Sequence, residues 1–347
     1  MKKTSRNSNR TSNDRIKHRY FHYLRDADGR DEATIDGVSK SLARFETYTS
    51  RRDFQKFHIE QARGFKRYLA EQRNARTGQP LSKATAHATL GHLKRFFHWL
   101  ADQPGYRSRI HHADVEYFSS SEKDARIATA AREPRSPTLE QIKHVVSKMP
   151  SRTDIERRNR ALIAFTAVTG ARDRAIASMK LKHVDLSEGC IHQDAREVRT
   201  KFAKTFDTFF LPVWKEGRQI VEDWVEWLRT QLLFGNEDPL FPATRMELDE
   251  NRRFVAAGVD KSPWSDAGPI RRIFRDAFKA AGLPYYNPHS LRHMLALRGE
   301  KWCRTPEDFK AWSQNMGHEK VLTTFNCYGP VSHRRQGEIL RARPADE

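Results

Sequence analysis

The sequence predicts a mostly α-helical protein of two domains, with one small β-sheet in the second. Three observations carry this expectation. Apolar residues recur at three- and four-residue spacing in several separate stretches, as amphipathic helices require. One run rich in β-branched and aromatic residues, 196–213, reads as a strand hairpin turning near 203–206. A small, polar, charged stretch with two prolines, 119–137, reads as an interdomain linker. At 347 residues and 37% hydrophobic content, the chain is long enough to bury two cores.

Residues 1–30 are rich in Arg, Lys, Asn and Ser without apolar periodicity, and read as a flexible basic arm. A helical domain follows over 31–118. Its clearest stripes are Phe65, Tyr68 and Leu69, then Leu90, Leu93, Phe97 and Leu100, with Ser82 as N-cap of the second. Between the stripes stand Arg63, Lys66, Arg67, Arg73, Arg76, Lys83, Lys94 and Arg95. Any one of these reads as a solvated helix face; together they suit a grip on phosphates. Residues 1–137 hold 28 basic and 16 acidic residues, against 35 and 28 in the longer remainder, so most of the excess charge sits in the shorter part.

The second domain, 138–347, opens with a capping box, Thr138 with Gln141, ahead of Ile142, Val145 and Val146. Residues 160–169 are apolar enough for a buried helix, which Gly170 can end with a positive φ. Further helices are expected around 219–233, 270–281, 290–301 and 306–316.

The 63 Lys and Arg against 44 Asp and Glu leave a net charge of +19, which favours a polyanionic partner, nucleic acid first. The polar start has no apolar segment behind it, and no apolar run approaches the roughly 18 residues that span a bilayer. Cys190, Cys303 and Cys327 are too few and too scattered for a disulfide framework or a cysteine zinc site. A cytoplasmic, nucleoid-associated protein is expected, with no membrane partner.

Breaking a phosphodiester without a metal needs a nucleophile, cations on the non-bridging oxygens and an acid for the leaving oxygen. The second domain offers all of them in sequence: T-G-A-R ending at Arg172, a lysine in the hairpin, H-S-L-R-H from His289 to His293, M-G-H ending at His318, and Tyr328. Arg172 and Arg292 can each present a planar fork of N–H donors to phosphate. Tyr328, with an ordinary pKa of about 10, needs nearby cations, which the two arginines and His318 would supply. A lysine whose pKa is lowered by burial and positive neighbours suits the general acid. His289 lies one helical turn before Arg292, on the same face.

These five boxes, in this order, resemble the tyrosine recombinase (phage integrase) family, and the likeness runs from about Thr138 to the C-terminus. The resemblance implies a nucleophilic Tyr328 that becomes joined to a DNA 3′-phosphate, with Arg172, His289, Arg292 and His318 around the phosphate. It also implies a hairpin lysine as general acid. Lys204 lies eight residues before Pro212, the family's spacing, and Lys201 stays open as the alternative. The helical N-terminal domain resembles the family's core-binding (SAM-like) domain, so a C-shaped clamp on double-stranded DNA is implied. No cofactor and no metal are implied, and the working form would be a homotetramer in the synapse. Ile339 and Leu340, in a charged tail, would dock on a neighbouring protomer.

Three positions depart from the family pattern. Ala175 stands where an acid usually buttresses the first arginine, leaving Asp173 as a substitute; His318 and Tyr328 are ten residues apart rather than nine; Met294 replaces a small hydroxyl residue. Other readings are a type IB topoisomerase-like relaxing enzyme, an inactive DNA-binding member of the same fold, and a zinc enzyme. The last would use the i,i+4 pair His289 and His293 with His318, Cys190 and His192, but lacks the glutamate of H-E-x-x-H.

Overall fold

The computed structural model describes residues 2–74, 77–130, 135–318 and 333–341. Contacts divide the chain into two units, Met1–Ala131 and Arg132–Glu347.

The first unit is helical: α1 (Lys2–Asp26), α2 (Glu32–Tyr48), α3 (Ile59–Glu71), α4 (Lys83–Ala101), the single turn α5 (His112–Val115) and α6 (Glu122–Thr129). The expected flexible arm is therefore corrected to a helix. Ile16, Tyr20 and Leu24 recur every four residues and are all buried, a stripe too narrow to stand out among so many polar neighbours. Tyr20 meets the rings of Phe96 and Trp99 at 5.1 and 4.8 Å. The side chain of Asn13 donates to Glu46 and to the Arg52 carbonyl and accepts from the Phe54 N–H, so this polar group is buried with its bonds made. Phe45 forms the centre of the core, meeting Phe65, Phe97 and Phe118 edge-on at 5.2, 5.4 and 5.7 Å. Ser82 does cap α4, accepting from the Thr85 N–H at 3.1 Å.

The expected linker is also corrected in part. Residues 122–129 form α6, begun by Ser121, whose hydroxyl accepts from the Asp124 N–H at 3.1 Å. None of its residues is buried, which is why its composition reads as linker.

The second unit contains α7 (Leu139–Lys148), α8 (Asp154–Thr169), the short α9 (Asp173–Ile176), β1 (Val184–Asp185), β2 (Cys190–Gln193), β3 (Phe206–Phe209) and α10 (Lys215–Thr230). It continues with β4 (Thr244–Leu248), β5 (Phe254–Val259), α11 (Gly268–Ala280), α12 (Pro288–Trp302), α13 (Pro306–Asn315) and α14 (His333–Arg341). Capping boxes start α7, through Thr138 and Gln141, and α8, through Thr153 and Glu156. Every residue of α8 from Ala161 to Thr169 is buried, so this helix is the axis around which the unit packs. Gly170 ends it at φ 64°.

The hairpin expectation needs a shift in register. β3 pairs with β2, Gln193 opposite Phe206 and Cys190 opposite Phe209, and the stretch 194–205 is a long connection rather than a strand and a tight turn. β-Branched content at 196–205 misleads because its apolar members are not all structural: Val198 is buried, but Phe202 is exposed at φ 61°. A second hairpin, β4–β5, was not expected; its Met246, Leu248, Phe254 and Val255 are exposed, so it lacks the alternation a half-buried strand shows. Its base is held by Arg158, buried in α8, which donates to the Pro242 carbonyl at 2.8 Å and the Thr244 hydroxyl at 3.0 Å. Among the described residues no helix is long and apolar enough to cross a membrane.

Candidate active site

The turn that ends α8 places the first arginine. Gly170 adopts the left-handed conformation, and Arg172 follows two residues later at the N-cap position of α9. Asn287 caps α12, accepting from the Ser290 N–H at 3.1 Å, with Pro288 in the first turn, and this sets His289 and Arg292 on successive turns of one helix face. Arg292 is 5% exposed. It donates to the Gly170 carbonyl at 2.9 Å and to the Met316 carbonyl, fastening the T-G turn and the M-G-H segment to α12. Arg292 is thus a structural tie as well as a charge.

Arg172 is held differently. Among the described residues no hydrogen bond or ion pair engages its half-buried guanidinium, and burial lowers its pKa from the ordinary arginine value. A cation with incomplete solvation and no counter-ion among the described residues is a ready site for an anion. The expected buttress from Asp173 is corrected: that carboxylate accepts from Arg271 of α11 at 2.7 Å and from the Arg174 N–H at 2.9 Å.

The histidines sit within this positive field. His318 is pushed down to about 4, first by burial, then by Arg292, Arg172, His289 and Lys201. His289 is also lowered, by burial and then by Arg292 and Arg172, although much of its surface is open to solvent and Asp173 opposes the shift. Burial and the two arginines thus favour the uncharged ring of His318 when no anion is bound, and the same causes act in the same direction on His289. Because its folded pKa lies below the ordinary 6.5, the unfolded chain carries the extra proton between pH 6.5 and about 4, and stability falls as pH drops through that window. The melting temperature should therefore fall on acidification from about pH 7 to 4.5, and His318→Gln should flatten that fall; an equal fall in the variant would assign it elsewhere.

Both candidate lysines lie near the site. Lys204 and His318 line one cleft of about 950 Å³, together with Phe206, Phe209, Trp302 and Trp312. Lys201 is exposed in the connection before β3, its ammonium 4.7 Å from the Phe202 ring centre, and its charge reaches His318. Among the described residues no group of three or more His, Cys, Asp or Glu is arranged to hold a metal. Tyr328 lies outside the described residues, and so does Arg76.

The order of these groups, two arginines from α8–α9 and α12 with a histidine after α13, invites comparison with known proteins. The sequence profile of the phage integrase family matches residues 137–334. The chain belongs to the phage integrase family. Within this family it is similar to the tyrosine recombinase XerC of Lactobacillus delbrueckii subsp. bulgaricus, 24% identical over 251 residues, which is 72% of each chain. Its fold is similar to lambda integrase (75–356) in a dimer bound to a COC′ core site, with TM-score 0.59, 15% identity and coverage of 95% and 96% of the two chains. It is also similar to lambda integrase in a tetramer bound to a Holliday junction, with TM-score 0.57, 15% identity and coverage of 91% and 78%. The phage integrase family member is accordingly a tyrosine recombinase, an enzyme that transfers DNA strands.

In the helical unit of this tyrosine recombinase, the basic residues expected to meet DNA divide into two sets. Lys94 bonds Glu116 at 2.6 Å and the Ser119 hydroxyl at 3.0 Å, Lys83 pairs with Asp124 at 2.8 Å, and Lys66 donates to the Ser119 carbonyl at 3.3 Å. Arg63 pairs with Glu60 at 2.7 Å and lies over the Tyr117 ring, and Arg73 donates to the Gly78 carbonyl at 3.0 Å. Arg67 and Arg95 are exposed. Exposed pairs of this kind are weak and screened by solvent, so phosphates can replace the acids. Sequence reasoning missed Arg271 and Asn315, because neither lies in a motif and each acts through a partner about a hundred residues away.

Proposed function

We propose that this enzyme cuts and rejoins double-stranded DNA at specific sites through a 3′-phosphotyrosine at Tyr328. The observation that carries the reading is the convergence of Arg172, Arg292, His289 and His318, with a lysine of the β2–β3 connection in reach of His318. The scissile phosphate sits against the two guanidinium groups, which neutralise the charge of the five-coordinate transition state. The Tyr328 oxygen forms a bond to phosphorus as the P–O5′ bond breaks. Lys204, or Lys201, gives its proton to the leaving 5′ oxygen. The phosphate's own charge raises the pKa of His289 and His318, so that either can take up the tyrosine proton near neutral pH. Resealing reverses each step with a 5′ hydroxyl from another strand, and no external energy source is consumed because the phosphotyrosine keeps the energy of the broken bond.

The basic residues of the helical unit, Arg63, Lys66, Arg67, Arg73, Arg76, Lys83, Lys94 and Arg95, hold the duplex backbone, and that unit serves as a core-binding domain in a clamp on DNA. Four protomers act on two sites in the nucleoid. The diverged boxes at Ala175 and Met294 suit the integrase of a mobile element. Plasmid assays separate this from a relaxing enzyme: recombination between two sites is expected, and relaxation of one-site plasmids alone would favour the topoisomerase-like reading. Leu340 of α14 is 65% exposed, and the tail docks on a neighbouring protomer. Deleting residues 335–347 should leave one-site cleavage and abolish two-site exchange; intact exchange would refute the docking.

A further inference from the structure

We infer that Asn315 is a positioning residue that fixes the general-acid lysine relative to His318. β3 is an edge strand: β2 pairs with one side, and among the described residues no strand pairs with the other. The side-chain amide of Asn315 takes that place. Its Oδ1 accepts from the Phe209 N–H at 2.6 Å and its Nδ2 donates to the Phe209 carbonyl at 3.0 Å. One backbone donor and one acceptor therefore fix the orientation of the amide. The main chain of the same residue is held too, since the Thr208 hydroxyl donates to the Asn315 carbonyl at 3.1 Å and accepts from Gln193 at 2.7 Å. A third contact follows at Gly317, at φ 61°, where an added Cβ would lie 2.5 Å from the Phe206 ring.

These contacts join Phe206–Phe209 to Asn315–Gly317, two residues after Lys204 on one side and next to His318 on the other. Asparagine is a poor helix former, yet it ends α13 where its amide bonds both the N–H and the carbonyl of Phe209. The connection that carries the lysine is exposed at Lys201, Phe202 and Ala203, two of them at positive φ, and the Asn315 contacts fasten its end at β3. A general acid must lie within hydrogen-bond reach of its oxygen, and about 1 Å of misplacement costs on the order of a hundredfold.

This inference rests on the reading that a hairpin lysine protonates the 5′ oxygen, and one experiment tests the two separately. A nicked duplex, selected by covalent capture from a random-sequence library, is made with either oxygen or sulfur at the bridging 5′ position. A thiolate leaves without a proton, so the sulfur substrate does not need the acid. Asn315→Ala should cleave the oxygen substrate about ten- to a hundredfold more slowly and the sulfur substrate at nearly the wild-type rate. Asn315→Asp, which keeps the acceptor for Phe209 and the side-chain size, should fall between. Equal loss on both substrates by both variants, or no loss on oxygen, overturns the role of Asn315. Lys204→Ala and Lys201→Ala serve as the second arm. If sulfur rescues neither lysine variant, the general-acid reading fails; if it rescues a lysine variant but not Asn315→Ala, only the positioning role fails.

Discussion

Replacing Arg292 by alanine is expected to abolish DNA cleavage and to destabilise the catalytic unit, whereas Arg172→Ala is expected to cost activity alone. The difference follows from their surroundings. Arg292 is buried and donates to the carbonyls of Gly170 and Met316. Its removal strands both carbonyls and opens a cavity, at a cost of about 2–4 kcal/mol, and releases the segment that carries His318. Arg172 is half-buried and, among the described residues, engages no protein partner. Its loss removes a burial cost along with a phosphate contact, so the melting temperature should hold or rise slightly. Cleavage should still drop about a hundred- to a thousandfold, as when one transition-state donor is deleted. Matched melting curves and single-turnover cleavage of a nicked duplex check both arms. Equal destabilisation by the two variants would mean that Arg172 has a structural partner.

The second large effect belongs to Tyr328. Tyr328→Phe removes one oxygen and leaves every charge in place, so DNA binding should stay within about threefold of wild type, because affinity is dominated by phosphate contacts. Covalent product should vanish, since a phenyl ring offers no nucleophile. A variant that still formed covalent product would move the nucleophile elsewhere in the chain.

The turn before Arg172 and the shared helix face of His289 and Arg292 were legible because each depends on local chemistry: a glycine that turns left-handed at 170, and a His and Arg one helical turn apart. The helix α4 and the buried end of α8 were legible for the same reason, since Ser82 starts the one and Gly170 ends the other. Tertiary compensation hid the rest. In α1 three buried residues, Ile16, Tyr20 and Leu24, suffice because α4 supplies the aromatic partners Phe96 and Trp99. In α6 polar contacts replace burial: Lys83 of α4 meets Asp124, and Ser121 caps the helix. The strand register of β2–β3 was misread because composition marks which residues prefer strands but not which strand they pair with. The depressed pKa of His318 was not legible because it arises from burial and from residues far away in sequence. Asn315 carries no motif at all; only the folded chain shows that its amide completes the edge of β3.

The central claim is that a phenol oxygen near the C-terminus attacks phosphorus within a cradle of two arginines. The most direct measurement is to trap the protein on a nicked duplex that cannot religate, digest the adduct, and identify the modified peptide and the DNA end attached to it. The account predicts a single adduct on Tyr328, joined to a 3′-phosphate with a free 5′ hydroxyl released. Attachment to another residue, or to a 5′-phosphate, would contradict it.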